Sequence, residues 1–185
     1  MTTRPASFDL ADRFIARSRY YLGVEYPAKI RLALLAMPAD RIWWRPHEAS
    51  NSVGNLILHL AGNVRQWIVA GVGEASDTRL RDAEFSTRGG DDAAHLLERL
   101  EKALSEVDAV LARITPESLG ERRMIQGRET SIFSAIYHVV EHFSGHTGQI
   151  IMLAKEVAPG AVRFYDDTGG LARPTFLGDG RSDVE

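Results

Sequence analysis

The chain has 185 residues, 44 % of them hydrophobic and 25 % charged, which suits one globular domain with a real core and excludes a disordered polymer. A formal net charge of −3 removes the electrostatic case for nucleic acid, whose binders carry a basic face. With no cysteine, disulfides and thiolate ligands are out, so a transition-metal site would rest on histidine and carboxylate.

The N-terminal stretch Met1 to Phe8 lacks the apolar core of a leader, and no run approaches the ~18–20 apolar residues of a membrane span. A cytoplasmic location is the expectation. Four main helical segments and no strand are expected. The first runs from about Asp9 to Ala36, kinked or divided at Pro27, which cannot donate the interior hydrogen bond. Its basic run Arg13, Arg17 and Arg19 reads as a solvated helix face. Met37-Pro-Ala-Asp40 ends it, and Ile42-Trp43-Trp44-Arg45-Pro46 forms a linker with two aromatic anchors.

Asn51 or Ser52 caps a second helix reaching about Ala70, with Val53, Leu56, Ile57, Leu60, Val64, Trp67 and Ile68 as its apolar face. Residues Gly71 to Gly90 read as a long polar connection, a length more often functional than idle. Asp91 or Asp92 caps the third helix, whose seam Ala93, Leu97, Leu100, Leu104, Val107, Leu111 and Ile114 alternates steps of four and three, the pattern of helix packing. Thr115-Pro116-Glu117 opens a short helical turn. The fourth helix begins near Thr130 with the seam Ile132, Ile136, Val139, Phe143, His146, Ile150, Leu153 and Val157. A core of about residues 8–158 and a loosely packed tail from Pro159 to Glu185 complete the domain, an all-α bundle.

Half of the six histidines fall in His138-Val-Val-Glu-His142-Phe-Ser-Gly-His146, each four residues after the last. Residues four apart share a helix face with β-carbons about 5–6 Å apart. All three cannot bind one ion, because His138 and His146 are separated by about 12 Å along the axis at 1.5 Å per residue. His142 and His146 straddle the seam and are the chosen pair, with His138 at the edge as an outer partner. The string His138-Val-Val-Glu141-His142 also matches an inverted zinc-peptidase motif, but no further ligand helix follows it, and Glu141 reads as a solvated charge.

A third ligand should come from another helix. His59 is the candidate, within the polar stripe Ser52, Asn55, His59, Asn63 and Gln66, which reads either as solvent-facing surface or as a cavity lining. His47 and His95 read as surface residues. Three neutral imidazoles leave open positions for water or substrate, as catalytic sites do. Tyr137, His138 and Gln149 are candidates to orient ligands or move protons, and Arg45 and Arg81 to hold substrate carboxylates.

Asn51-Ser-Val-Gly54-Asn-Leu-Ile-Leu-His59-Leu-Ala-Gly-Asn63 with Trp67, followed by His138-Val-Val-Glu-His142-Phe-Ser-Gly-His146-Thr-Gly-Gln149, resembles the DinB/YfiT-like (damage-inducible) superfamily over about residues 8–166. Trp43-Trp44-Arg45-Pro46 and Arg81-Asp82-Ala83-Glu84-Phe85 fit an uncharacterised branch. The resemblance implies a four-helix bundle in up-down-down-up order with a long crossover, commonly a homodimer, and a divalent metal, zinc or nickel, at His59, His142 and His146. It further implies a thiol-dependent S-transferase or isomerase using a low-molecular-weight thiol on a small electrophile. The alternatives are a metal-dependent hydrolase and a non-catalytic metal-binding stress-response protein.

Overall fold

The computed structural model describes residues 6–170 and 172–177. The reading of residues 1–5 as free of a leader and the end of the expected tail, 178–185, lie outside the described residues. The protein is mostly helical. The first helical segment comprises α1 (Ala6–Tyr20), a π-helical turn (Tyr21–Glu25) and α2 (Tyr26–Ala36). Pro27 lies in the first turn of α2, so the missing N–H is accommodated by a wider turn rather than by a break. The expected solvated face of α1 is partly tied down, since Arg19 donates Nε and Nη2 to both oxygens of Asp108.

The second long helix is α3 (Val53–Val64), capped by Ser52, whose hydroxyl accepts from Asn55 N in a reciprocal box. It continues as a π-helical stretch, Arg65–Val72, in which Val64, Ile68 and Val72, spaced by four, are all buried. The connection that follows is therefore shorter than the sequence suggests and contains a further short helix, α4 (Arg81–Ser86).

Helix α5 (Ala93–Leu111) is capped by Asp92, which accepts from His95 N. Its seam residues Leu97, Leu100, Leu104, Val107 and Leu111 are buried, joined by Leu96, Ala103 and Val110. A 3-10 turn, Glu117–Gly120, follows Pro116, and the last long helix is α6 (Ile132–Val157), capped by Ser131.

Helix α3 packs on α5 and α6, and α2 packs on α6 and α5, so these helices enclose one contiguous apolar core. Trp67 meets His138 whereas His59 meets His146, so α3 and α6 run in opposite directions.

Two expectations are corrected. Strands do occur: β1 (Arg122–Ile125) pairs antiparallel with β2 (Arg128–Ser131) around Gln126 and Gly127, both with positive φ. This tight hairpin is anchored where Ile125 lies against Gly71. The described part of the tail, up to residue 177, carries ordered contacts. Strand β3 (Tyr165–Asp166) pairs with β4 (Arg173–Pro174), and Val162, Phe164 and Leu177 are buried. Lys29 Nζ sits 4.7 Å from the centre of the Phe176 ring, so apolar and cation–π contacts seat the segment on α2.

The linker before α3 is fixed by Trp43, whose indole Nε1 donates to Asp91 O at 2.8 Å and whose ring lies over Gly54. A Cβ at position 54 would come within 2.7 Å of that ring. Alanine normally favours a helix over glycine by up to about 1 kcal/mol. Here the clash is the larger effect, and Gly54→Ala is expected to destabilise the protein by about 1–3 kcal/mol, measured as a lower urea midpoint. An increased midpoint would show that Trp43 can move aside.

Candidate metal centre

The polar stripe of α3 does not face solvent. Ser52, Asn55, His59 and Asn63 are all buried, because the segment carrying α4 folds over them. Asn55 makes that covering specific. Its Oδ1 accepts from Ser52 N and Oγ, and its Nδ2 donates to Glu84 O and Thr87 O, each at 2.8 Å. Glu84 is thereby pinned over α3 with its side chain buried.

On α6 the histidines are placed slightly differently from the seam expected. Phe143, Thr147, Ile150 and Ala154 take the core positions, and Thr147 satisfies its hydroxyl on Phe143 O at 2.8 Å. His146 is half-buried and stands one residue off the core stripe, on the flank that faces α3. Leu153 and Val157 are likewise only partly buried. His142 lies on the same flank one turn earlier.

The structure brings His59, His142 and His146 together: one ligand-capable nitrogen from each lies within 4.8 Å of the others. His59 Nε2 and His142 Nε2 are 2.9 Å apart, and the ring centres of His59 and His146 are 4.9 Å apart. Two nitrogens bonded to one ion at ~2.0–2.1 Å can be at most about 4.2 Å apart, so side-chain shifts below ~1 Å close the set.

Outer partners fix which nitrogens face inward. His59 Nδ1 donates to Glu84 Oε2 at 2.9 Å, which leaves Nε2 bare toward His142. His146 Nδ1 donates to Gln149 Oε1 at 2.8 Å, which leaves its Nε2 bare as well. The donor set therefore fits a divalent cation of the imidazole-binding kind.

Burial favours the neutral form of the three rings on α6. His142 is depressed to about 3, first by desolvation and then by the neighbouring His146, His59, His138 and Arg79. Burial also lowers His146, against the opposing hydrogen bond to Gln149. His138 is lowered by burial too, and its ring packs 4.2 Å from Trp67 and 5.5 Å from His142.

The remaining sequence candidates separate clearly. Tyr137 is exposed and stacks on Phe133, Arg45 donates to Glu48 O within the linker, and Glu141 is exposed. Arg81 lies 4.9 Å over the ring of Phe85, which itself lies 4.7 Å from His59. His47 and His95 are at the surface, bonded to Ser50 and Asp92.

Sequence reasoning missed Arg79 and Glu84. Arg79 donates Nε to Glu84 Oε1 and Nη2 to Glu84 Oε2, both at 2.7 Å, and Nη1 to Gln66 Oε1. Burial raises the Glu84 carboxyl, but the bonds from Arg79 and His59 together outweigh it and hold the group below its ordinary value. The available signal was the acidic residue in Arg81-Asp82-Ala83-Glu84-Phe85.

The chain belongs to the family described as "Protein of unknown function (DUF1572)", whose model matches residues 11–164. The crystal structure of YjoA, a DinB-like protein from Bacillus subtilis, is similar, with a TM-score of 0.61 at 18 % identity, covering 80 % of this chain and 96 % of that one. At this identity the likeness establishes the fold, which is DinB-like, as the motifs suggest. No curated protein matches. Among the described residues no helix is long and apolar enough to cross a membrane.

Since the folded pKa of His142 lies near 3 against 6.5, the unfolded chain binds more protons between these values, and stability without metal falls as pH drops through that window. The depressed His146 and Glu84 act in the same direction. The expected result is a melting temperature that declines from pH 6.5 toward pH 4, with a shallower slope in His142→Phe. Equal slopes in the two proteins would contradict the neutral, buried state of this ring.

Proposed function

We propose that this DUF1572-family chain, with its DinB-like fold, holds one divalent cation on His59, His142 and His146 and acts as a metal-dependent enzyme. The best reading is a thiol-dependent S-transferase or isomerase on a small electrophile. The observation that carries it is the convergence of three imidazoles from two helices, with two of the rings oriented by Glu84 and Gln149. Three protein ligands with no fourth among the described residues match the pattern of catalytic rather than structural sites. A bound cation would lower the pKa of a thiol or water placed on it.

The surrounding residues support a place for substrate. Asn63, one turn beyond His59 on α3, has a buried carbonyl oxygen with no hydrogen-bond partner among the described residues, an acceptor suited to an N–H or O–H of a ligand. Phe85 covers one side of His59, and Arg81, 4.9 Å over the Phe85 ring, supplies a cation for an anionic group. His138, held neutral by burial, has a ring nitrogen able to accept a proton.

The same reading carries zinc or nickel as the ion, a low-molecular-weight thiol as cosubstrate, a homodimer and a cytoplasmic location. The ion, the thiol and the homodimer follow from the superfamily resemblance rather than from the geometry.

Elemental analysis after mild purification is expected to find about one divalent ion per chain. His59→Ala, His142→Ala or His146→Ala should weaken binding by more than the roughly 10- to 100-fold typical of losing an outer partner, whereas His138→Ala should largely retain the ion. Retention by His146→Ala with loss in His138→Ala would reassign the pair. The loaded protein should form product from electrophiles only when a small thiol is present. Thiol-independent turnover of esters or amides would identify a hydrolase, and silence on both panels a metal-binding protein without turnover.

A further inference from the structure

The Arg79–Glu84 pair is more elaborate than pinning a surface connection requires. The connection is already tied to α3 by the two bonds from Asn55 to backbone carbonyls, yet the chain buries a carboxylate and a guanidinium over the same helix, at a desolvation cost of several kcal/mol per ion before pairing. The extra bonds converge on one carboxylate. Glu84 Oε2 receives His59 Nδ1 at 2.9 Å and Arg79 Nη2 at 2.7 Å, while Oε1 receives Arg79 Nε at 2.7 Å.

Arg79 Nη2 also lies 3.0 Å from His59 Nδ1. A guanidinium has only donors and keeps its protons in proteins, so this contact is not a hydrogen bond once Nδ1 carries a proton for Glu84. Two N–H groups lie side by side and share one carboxylate oxygen. That arrangement works only with the carboxylate ionised and a proton on Nδ1, and in a neutral ring it leaves Nε2 as the bare nitrogen facing His142 at 2.9 Å.

The backbone of α3 makes room for this. A Cβ at Gly62 would lie 2.0 Å from Glu84 Oε1 and 3.1 Å from Arg79 Nε. The carboxylate can reach His59 across the helix surface because position 62 has no side chain. A glycine inside a helix costs about 0.5–1 kcal/mol relative to alanine, and the close approach accounts for it.

Resting on the metal reading above, we propose that Glu84, clamped by Arg79 and admitted by Gly62, is a positioning residue that locks His59 into the tautomer whose Nε2 binds the cation. The α4 segment is then part of the site, although it supplies no ligand.

Two variants test this from opposite sides. Glu84→Gln keeps the shape but leaves one oxygen for three donors, and a turned amide presents its own N–H to Nδ1. Gly62→Ala changes no polar group, and its new methyl displaces the carboxylate. Both should bind Zn2+ or Ni2+ about 10- to 100-fold more weakly than wild type in competition with a chromophoric chelator. Circular dichroism should confirm that each remains helical.

Nitrogen-15 NMR of the metal-free proteins gives the second readout. Wild-type His59 is expected in the Nδ1–H form, and in each variant the Nε2–H form should become populated. Affinities within twofold of wild type, or a His59 that remains wholly Nδ1–H in both variants, would overturn the proposal. Failure of the wild-type chain to bind any ion would refute the metal reading. The tautomer measurement would still decide whether Glu84 sets the state of His59.

Discussion

The arrangement depends on how closely α3 approaches α6. The two helices run in opposite directions, and their contact places His59 Nε2 2.9 Å from His142 Nε2. Two imidazole nitrogens at that distance need something positive between them, either the proton of a hydrogen bond or a cation. Helix packing on an apolar core fixes the spacing, so the core formed by Leu56, Leu60, Val139 and Phe143 also sets the dimensions of the site. A rigid pair of helices is a better support for ligands than a loop, because ligand geometry tolerates deviations of only about 0.5 Å.

The polar residues around this contact are ordered in successive hydrogen-bonded layers. Two ring nitrogens point inward because the opposite nitrogens are bonded, one to Glu84 and one to Gln149. Glu84 is held in turn by Arg79, and Arg79 by Gln66, whose amide oxygen also accepts from Gln126 in the turn of the β1–β2 hairpin. A chain of hydrogen bonds thus leads from an exposed turn to the buried histidines. Its inner part is desolvated, and there each bond counts for more because an unmet donor or acceptor costs about 1–3 kcal/mol.

Local pattern made part of this legible from sequence. The α5 seam, the Ser52 and Asp92 caps and the i, i+4 spacing of the α6 histidines are short-range signals, and the structure has each of them. The signals that failed were those in which a distant segment decides. The stripe Ser52–Asn55–His59–Asn63 reads equally as surface or as a cavity lining, and only the residues some twenty-five positions later that cover it decide for burial. Arg79 and Glu84 lie in what reads as a polar connection, and nothing local shows that their charges turn inward.

Two placements have a geometric cause. A strict four-three alternation through α6 puts His146 in the core, whereas the helix places Thr147 there and turns His146 toward α3. Steps of 3.6 residues per turn drift against a heptad grid, and neighbouring positions exchange roles. Beyond α3 the π-helical stretch Arg65–Val72 widens the repeat, which lets Val64, Ile68 and Val72 all face inward although a regular helix would turn one of them aside.

X-ray absorption at the metal edge of the zinc- or nickel-loaded protein tests the central claim most directly. The account predicts a shell containing three imidazole nitrogens at about 2.0–2.1 Å, with the outer-ring scattering that imidazole produces. A shell of oxygen atoms alone, or one fitted by a single imidazole, would contradict the convergence of positions 59, 142 and 146 on one ion.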